Sequence, residues 1–420
     1  MKKLYVYADF DWLKEIELIG ELGYETLRGS DSYCFTFSNE WLSQHGDLFL
    51  SDDLNNYPGQ QYTQPGKDIF GCFSDALPDR WGRTLLLRRE QIEAAEEKRS
   101  IRRLSSFDFL TGIDDFSRMG GFRFKEDPNG KFINVSESLQ IPPLTDIREL
   151  IAASEEIEKS EGKNILPDQK WIFQLVQPGS SLGGARPKAN VIDADKTLYV
   201  AKFPSRKDDY DTGLWEYFSH LLAIKSGINA ATTKVLTIGK KYHTLLSKRF
   251  DRTQEGKRIH FASAMTLLGL EDGDNATNGH GYLDIVDFIL QNCTDVECNL
   301  QELYRRVAFN ICIGNSDDHF RNHGFLLTVR GWTLSPAYDM NPTLNEYQSL
   351  LISADSNKAK LNILLDACED YMLNRKTAEK IVSEVIDAVK NWRELAIRIG
   401  LFKKEMDMFA EVLDERCITE

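Results

Sequence analysis

The chain contains an aspartate, an asparagine five residues later, and a second aspartate beyond a short hairpin. They are Asp317, Asn322 and Asp339, in the segments Gly314-Asn315-Ser316-Asp317-Asp318-His319-Phe320-Arg321-Asn322 and Ala337-Tyr338-Asp339. One carboxylate can orient a hydroxyl nucleophile, while an amide and a second carboxylate can hold Mg²⁺ against nucleotide phosphates. The spacing therefore predicts phosphoryl transfer. Asp317 is the predicted base because it, and not Asp318, precedes Asn322 by five residues.

Three other interpretations of this segment stay open. A surface turn rich in Asn, Asp and Ser has the same composition. His319 and His323 have the spacing of metal ligands on one helical turn, although Asn322 and Gly324 favour a loop. An Asp-Asp-His run is also typical of metal-dependent phosphoesterases. None of the three explains the residues that precede the segment.

A glycine-rich segment lies upstream, at residues 179–188. Gly183 and Gly184 would let backbone N–H groups approach an anion such as a phosphate. A Gly-Gly turn between two strands is the alternative. The segment is not a Walker A loop, because it does not end in Gly-Lys-Ser/Thr and open a helix.

A lysine and a glutamate follow the glycine-rich segment. Lys202 lies in the apolar strand predicted at residues 197–203, where a charged side chain needs a partner. It could reach nucleotide phosphates, with Glu216 of the predicted helix at 211–225 holding it. The alternative is an edge-strand lysine and a solvated glutamate. Residues 248–250 end the next apolar strand, at the place where a two-lobed kinase offers backbone groups to adenine.

The helices and strands that must position these residues are predicted from hydrophobic periodicity and from the residues that interrupt it. Strands are predicted at 3–10 and 33–37, a helical stretch from Phe73 to about Lys98, and a helix at 107–112 before a strand at 122–124. Residues 126–145 are rich in breakers and mark a domain boundary. A helix near 145–160 and two strands around 232–250 follow. From about residue 282 the pattern is mostly helical, apart from a hairpin between Phe325 and Leu334 with its turn at Arg330-Gly331.

Composition narrows the class of protein. The chain has 420 residues, of which 42% are hydrophobic and 28% charged, with a net charge of −14. The length predicts two or three domains, and the acidity argues against a broad surface for nucleic acid or anionic membranes. Seven cysteines without a CxxC pair favour reduced thiols over a disulfide framework or a zinc site. Without a signal-type or long apolar segment, a cytoplasmic protein is expected.

Taken together, these residues resemble the HipA family of bacterial toxin Ser/Thr kinases. The segments that carry the resemblance are Ser181-Leu182-Gly183-Gly184-Ala185-Arg186-Pro187-Lys188, Lys202 in Ala-Lys-Phe-Pro, Glu216 ahead of Leu222-Ala223, Arg249-Phe250-Asp251-Arg252, and the Asp317–Asn322 and Asp339 segments. Two further matches, residues 73–79 and 107–110, resemble the family's N-terminal subdomain. The resemblance therefore extends over nearly the whole chain.

The resemblance implies a fold of the α+β class. We expect a two-lobed protein-kinase-like fold of the HipA type with a small β-rich N-terminal subdomain. The expected divisions are the N-terminal subdomain at residues 1–140, the kinase N-lobe with its Gly-rich loop at 141–252, and a mostly helical C-lobe with the catalytic loop at 253–420. The active site is expected between the lobes.

The resemblance also implies the roles of individual residues. Asp317 is the expected catalytic base, and Asn322 and Asp339 are the expected Mg²⁺ ligands. The residues expected to bind ATP are Gly183, Gly184, Ala185, Arg186, Pro187, Lys188, Lys202, Glu216, Lys248, Arg249, Phe250, His319 and Asn322.

Family members autophosphorylate a serine of the Gly-rich loop, and the matching position here is Ser181, with Ser180 beside it as the alternative. A phosphate would add a charge of about −2 there and repel ATP. Arg186-Pro187 ahead of Lys188 departs from the family pattern and predicts a stiffer loop.

The implied partners are proteins. The resemblance implies a protein target, such as an aminoacyl-tRNA synthetase, and a HipB-like helix-turn-helix antitoxin that could tether the chain to DNA. Since the chain has no helix-turn-helix or basic stripe of its own, neither direct nucleic-acid binding nor membrane binding is expected. The expected function is a growth-arresting toxin kinase. The alternatives are a catalytically quiet nucleotide-binding regulator and a kinase of a small molecule.

Overall fold

The structure is a computed structural model that describes residues 1–27, 30–64, 67–135, 141–160, 169–176, 184–239 and 242–418. The chain divides into two compact units. The first unit comprises residues 1–207 and 246–262, and the second comprises residues 208–245 and 263–420. The boundaries expected at 140/141 and 252/253 stay predictions.

The first unit begins with a five-stranded antiparallel sheet. Its strands are β1 (Lys2–Ala8), β2 (Glu17–Leu27), β3 (Ser30–Phe37), β4 (Gln60–Tyr62) and β5 (Phe122–Lys125). They lie in the order β4-β3-β2-β1-β5. Alternate residues of β1 (Leu4, Val6 and Ala8) are fully buried, which is the period expected of a strand with one face in the core. This sheet confirms the predicted β-rich N-terminal region.

The helices of the first unit account for most of the remaining predicted elements. They are α1 (Asn39–His45), α2 (Arg80–Glu96), α3 (Ser106–Gly112), α4 (Ile147–Ser160) and α5 (Gln169–Val176). The helical stretch predicted from Phe73 is in fact a 3-10 turn at Gly71–Ala76 followed by α2. Pro78 interrupts the pattern, and the Asp79 side chain caps α2 by accepting a hydrogen bond from the Gly82 N–H.

Seven further strands follow in the described part of the chain. They are β6 (Lys188–Ile192), β7 (Leu198–Lys202), β8 (Thr233–Thr237), β9 (His243–Lys248), β10 (His260–Ser263), β11 (Gly324–Thr328) and β12 (Gly331–Leu334). β6 and β7 are antiparallel, with Lys188 opposite Lys202. β9 carries the chain from the second unit back into the first. β11 and β12 form the predicted hairpin, with Thr328 opposite Gly331.

The second unit is mostly helical, as predicted. Its helices are α6 (Thr212–Lys225), α7 (Ala264–Leu267), α8 (Tyr282–Asn292), α9 (Val296–Ile313), α10 (Leu361–Asp366), α11 (Arg375–Val389), α12 (Trp392–Ile399) and α13 (Lys403–Glu415). α9 lies at its centre and packs against α8, α10, α11 and α13. Because α9 is buried on most sides, it is a rigid base for the loop that follows it.

Candidate functional site

The loop of residues 314–323 starts where α9 ends. Gly314 has a left-handed backbone (φ 72°), and its N–H closes the helix by bonding to the carbonyl of Ile311. A Cβ at this position would collide with Cγ1 of Val412. Glycine is therefore required here by both the backbone conformation and the packing.

Asp318, the second aspartate of the loop, is a buried anchor. Its Oδ2 accepts hydrogen bonds from Tyr282 Oη (2.7 Å), Asn310 Nδ2 (2.7 Å) and His323 Nε2 (2.8 Å). Burial raises the pKa of the Asp318 carboxyl, but the charge and hydrogen bond of His323 and the hydrogen bond of Tyr282 outweigh it, so that the pKa lies below its ordinary value. Asp318 thus holds the loop to α8 and α9.

Asp317, its neighbour, is exposed. Its backbone carbonyl accepts a hydrogen bond from Asn322 Nδ2 (3.1 Å), and the Asn322 N–H bonds to the carbonyl of His319 (2.8 Å). The backbone of Asp317 is therefore fixed while its side chain lies at the surface. An accessible carboxylate on a rigid loop has the properties that a general base requires.

The segment with Asp339 returns to this loop. Tyr338 Oη donates to the carbonyl of Arg321 (2.6 Å), which places the residue before Asp339 next to the residue before Asn322. Asp339 has a left-handed backbone (φ 57°), which is uncommon for a residue other than glycine. Asn341 Nδ2 donates to Asp339 Oδ1 (3.3 Å). The structure thus brings together the two segments that carry the predicted Mg²⁺ ligands.

These residues fit a metal ion that arrives with a nucleotide. Asn341 Oδ1 is buried without a hydrogen-bond partner, an oxygen that a cation could satisfy. Within the described ranges, no three His, Cys, Asp or Glu side chains are grouped to hold a metal by themselves. Mg²⁺ commonly takes one or two carboxylates, with phosphate oxygens completing its coordination. His323 Nε2 bonds to Asp318, so only Nδ1 of this ring is left for a metal ion.

A strap over the loop was not predicted from the sequence. The Asn341 N–H donates to Asn315 Oδ1 (3.2 Å), the Thr343 N–H to the Gly314 carbonyl (2.8 Å) and the Ser349 N–H to the Ser316 carbonyl (3.0 Å). Residues 341–349 therefore bond to three consecutive loop residues. Local spacing gives no signal for such contacts, since the partners are about 30 residues apart.

The predicted phosphate-binding segment lies in the first unit. Ser180, Ser181, Leu182 and Gly183 lie outside the described residues. Gly184 has a left-handed backbone (φ 89°), and Lys188 is buried on β6. The Lys188 ammonium is 2.9 Å from Asp79 Oδ2, with both side chains less than 5% exposed. Lys188 is thus already engaged in an ion pair with the residue that caps α2.

Lys202 and Glu216 belong to different units. Lys202 ends β7 in the first unit. Glu216 is buried on α6 in the second unit, with its Oε1 3.8 Å from His220 Nε2. The expected pairing of Lys202 with Glu216 stays a prediction.

One side chain of the predicted adenine hinge, that of Arg249, is hydrogen-bonded within the fold of the first unit. Arg249 is 4% exposed, and its guanidinium donates to Asp251 Oδ1 (2.8 Å), the Ser117 carbonyl (2.6 Å), Asn190 Oδ1 (2.9 Å) and the Arg118 carbonyl (3.2 Å). These contacts fix the end of β9 to residues 117–118. Any contact of Arg249 with a nucleotide is therefore left to its backbone.

Asp251 completes this buried cluster. Its carboxylate also accepts hydrogen bonds from Arg252 Nη1 (2.6 Å) and the Gly120 N–H (2.8 Å). Burial raises the pKa of Asp251, but the charges of Arg249 and Arg252 outweigh it and hold the pKa well below its ordinary value. The Arg249–Arg252 motif is thus a structural lock within the first unit.

Two family models match the chain. The HipA N-terminal domain matches residues 12–108, and the HipA-like C-terminal domain matches residues 180–393, about half of the sequence. The chain belongs to the HipA family. The α+β fold expected from the sequence is confirmed at the level of this family.

Individual HipA-family relatives agree with this assignment. A protein of Shewanella oneidensis named "Serine/threonine-protein kinase toxin HipA" is 26% identical over 347 residues, which cover 77% of this chain and 72% of that protein. A "Putative kinase" of Haemophilus influenzae is 24% identical over 196 residues, or 41% of this chain and 57% of that protein.

The solved HipA structure in a Shewanella oneidensis complex of HipA, HipB and operator DNA has the same fold. Its TM-score is 0.67 at 17% identity, covering 99% of this chain and 96% of that one. Among the described residues of this HipA-family chain, none of the helices is long and apolar enough to cross a membrane.

Proposed function

We propose that this chain is an ATP- and Mg²⁺-dependent Ser/Thr protein kinase that acts as a growth-arresting toxin. The observation that carries the proposal is the pair of adjacent aspartates. Asp318 is buried and bonded to three donors, whereas Asp317 is exposed on a backbone that Asn322 fixes. A surface turn has no need of such a buried anchor, but a catalytic loop does, because its base must keep one position.

Asp317 accepts the proton of the attacking hydroxyl in this proposal. Asn322 and Asp339 would hold Mg²⁺, and Asn341 Oδ1 would be a further oxygen near Asp339. Bound Mg²⁺ would neutralise charge on the transferring phosphoryl group. Tyr338 keeps the two ligand segments together through its bond to the Arg321 carbonyl.

The residues proposed to hold the nucleotide are those that the family resemblance implies. Residues 183–188 would cradle the phosphates, Lys202 and Glu216 would serve the phosphate site, and residues 248–250 would line the adenine through their backbone. His319 is proposed to contact the nucleotide as well, since its Nδ1 is buried without a partner. Phosphorylation of Ser181, or of Ser180, would place negative charge in the cradle and silence the enzyme.

The proposed partners follow the family. The related solved structure is a complex of HipA, HipB and operator DNA. We propose that a HipB-like antitoxin restrains this chain and supplies its contact with DNA, in keeping with the net charge of −14. The substrate is a cytoplasmic protein, with an aminoacyl-tRNA synthetase as the first candidate.

The decisive experiment replaces the exposed aspartate. Asp317→Asn should lower phosphate transfer from radiolabelled ATP by about 10²- to 10⁴-fold, because a general base contributes on that order. Nucleotide binding and thermal unfolding should be unchanged, since the Asp317 side chain is exposed. Asp287→Asn, on the exposed side of α8, is the matched control and should keep full activity.

Full activity in Asp317→Asn would refute the assignment of the base. If the unaltered chain binds ATP but transfers no phosphate, it is a nucleotide-binding regulator. A phosphoproteome recorded after induction separates the remaining possibilities, because a kinase of a small molecule would produce no new phosphoprotein.

A further inference from the structure

A buried ion pair lies in the segment proposed to bind phosphates. The Lys188 ammonium is 2.9 Å from Oδ2 of Asp79, and the two side chains are 3% and 4% exposed. The other oxygen of the same carboxylate, Asp79 Oδ1, accepts a hydrogen bond from the Gly82 N–H (2.7 Å) and so caps α2. The Trp81 Nε1–H donates to the Lys188 carbonyl (3.0 Å). The first residue of β6 is therefore joined to the first turn of α2 through both its side chain and its backbone.

Positive charge is concentrated around the Asp79 carboxylate. Lys188 lies directly opposite Lys202 in the register of β6 and β7, and opposed residues of an antiparallel pair project from the same face of the sheet. Like charges in such positions destabilise a sheet. The N-terminus of α2, which Asp79 caps, adds the positive end of a helix dipole. Asp79 thus supplies negative charge to a region that contains two lysines and a helix N-terminus.

A glycine turn gives solvent a route towards Lys188. Gly184 has a left-handed backbone (φ 89°), and a Cβ at this position would lie 3.4 Å from Nζ of Lys188. Lys188 Nζ donates to the Gly184 carbonyl (3.4 Å). Gly184 itself is exposed, although Lys188 is buried. An anion that reaches this turn from solvent is therefore close to the Lys188 ammonium.

We propose that Asp79 is an internal counter-ion that holds the Lys188 ammonium in place and competes with nucleotide phosphates for it. In the chain without nucleotide, the carboxylate neutralises a buried charge that would otherwise be costly. When ATP binds, its phosphates are attracted to the same ammonium and are repelled by the carboxylate. Asp79 therefore stabilises the chain without nucleotide and lowers its affinity for ATP. The inference rests on the proposed function, because it takes Lys188 as part of the ATP site.

The test replaces Asp79 by asparagine in the full-length chain. Asparagine caps helices about as well as aspartate, so Asp79→Asn keeps the cap and removes the charge. Without nucleotide, the variant should unfold about 5 °C or more below the unaltered chain, because the buried ammonium has lost its carboxylate. Its Kd for ATP, measured by isothermal titration calorimetry, should be lower by at least about fivefold. The Kd for adenosine, which has no phosphate, should be unchanged.

Three further variants separate this role from a purely structural one. Glu90→Gln removes another buried carboxylate of α2, one that is paired with Arg99, and should lower the unfolding temperature without changing the Kd for ATP. Lys188→Met should weaken the binding of ATP, and in that background Asp79→Asn should change the Kd by less than about twofold. Asp79→Ser, which also caps helices, takes the place of Asp79→Asn if the asparagine variant does not fold.

The proposal is wrong if removal of the Asp79 charge leaves the affinity for ATP unchanged or weaker, or if the affinity for adenosine rises by the same factor. An unchanged Kd for ATP together with a lower unfolding temperature would make the ion pair structural only. If the unaltered chain binds no ATP, the proposed function fails and the inference fails with it. The two failures are distinguishable, because the second is seen without any substitution.

Discussion

Asp251 in the first unit and Asp318 in the second are both buried carboxylates, but their partners differ. Asp251 is paired with two arginines, Arg249 and Arg252, and the cluster holds strand β9 to residues 117–120. Asp318 is bonded to a tyrosine, an asparagine and a histidine, and its neighbour Asp317 is exposed.

The two motifs differ in whether they keep a charged side chain accessible to solvent. In the Arg249–Arg252 segment the guanidinium of Arg249 and the carboxylate of Asp251 are both consumed by contacts inside the fold. In the loop at 314–323 one aspartate is consumed so that the other is held in place and accessible. A conspicuous charged motif can thus serve stability alone, whereas a buried aspartate beside an exposed one leaves a carboxylate accessible.

The largest effect on stability should come from the anchor of the loop. Asp318→Ala leaves the donors of Tyr282, Asn310 and His323 without their acceptor in a buried place, and should lower the free energy of unfolding by about 3–5 kcal/mol. Asp317→Ala, one residue earlier, should change it by less than about 0.5 kcal/mol. Urea unfolding measures both. Equal losses in the two variants would contradict the division of roles.

A smaller effect is expected in the first unit. Asp251→Asn keeps the shape of the side chain but removes the charge that balances Arg249 and Arg252, at a cost of about 2–3 kcal/mol. Hydrogen exchange should show faster opening at residues 117–120 and in β9. Asp52→Asn, at an exposed position of the same unit, is the control. Unchanged exchange at residues 117–120 would show that the lock is not needed.

The mildest perturbation is a change of pH, to which the two units should respond differently. Burial lowers the pKa of His260 in the first unit from its ordinary value of 6.5 to about 3, with Phe10 and Phe122 against its ring. His260 therefore binds a proton in the unfolded chain but not in the folded one. As a result, the free energy of unfolding falls as the pH drops from about 6.5 towards 3. The slope for one proton is about 1.4 kcal/mol per pH unit.

The contribution of Asp318 to stability is lost in a lower pH range than that of His260. Its pKa is lowered, so its contribution is complete above the unfolded value of 3.8 and is lost only as the pH falls through the folded value. Chemical denaturation between pH 7 and 4 should thus show a loss that disappears in His260→Asn, which keeps an acceptor near the Gly121 N–H. A slope that persists in this variant would assign the effect to other groups.

The sequence predicted most elements whose pattern is local. The helix at 211–225, the hairpin at 325–334 and the strand at 197–203 were predicted within a few residues, because their periodicity and turn residues are clear. Strand β2 was missed. Gly20 and Gly23 make it a poor strand by composition, yet both are needed because β3 approaches closely, with Thr36 O and Cys34 Sγ in the space of a Cβ.

The site was predictable only in part, for the same reason. The interval from Asp317 to Asn322 is local, so the sequence alone could indicate this loop as a candidate. The acceptor role of Asp318 depends on Tyr282 and Asn310, which reach it through the packing of α8 and α9 and not through spacing. Likewise, the sequence could suggest that Arg249 lies at a hinge, but its acceptors at residues 117 and 118 are about 130 positions away.

The contacts of Arg249 limit where the gene could be divided or recombined without loss of stability. The two matched domain models end at residue 108 and begin at residue 180, as though the gene held two interchangeable modules. The carbonyls that receive the Arg249 guanidinium lie in the intervening stretch and belong to neither model. Fission or fusion of the gene at either border would strip a buried cation of those acceptors. The intervening stretch is therefore part of the folded unit and not a spacer that can be exchanged.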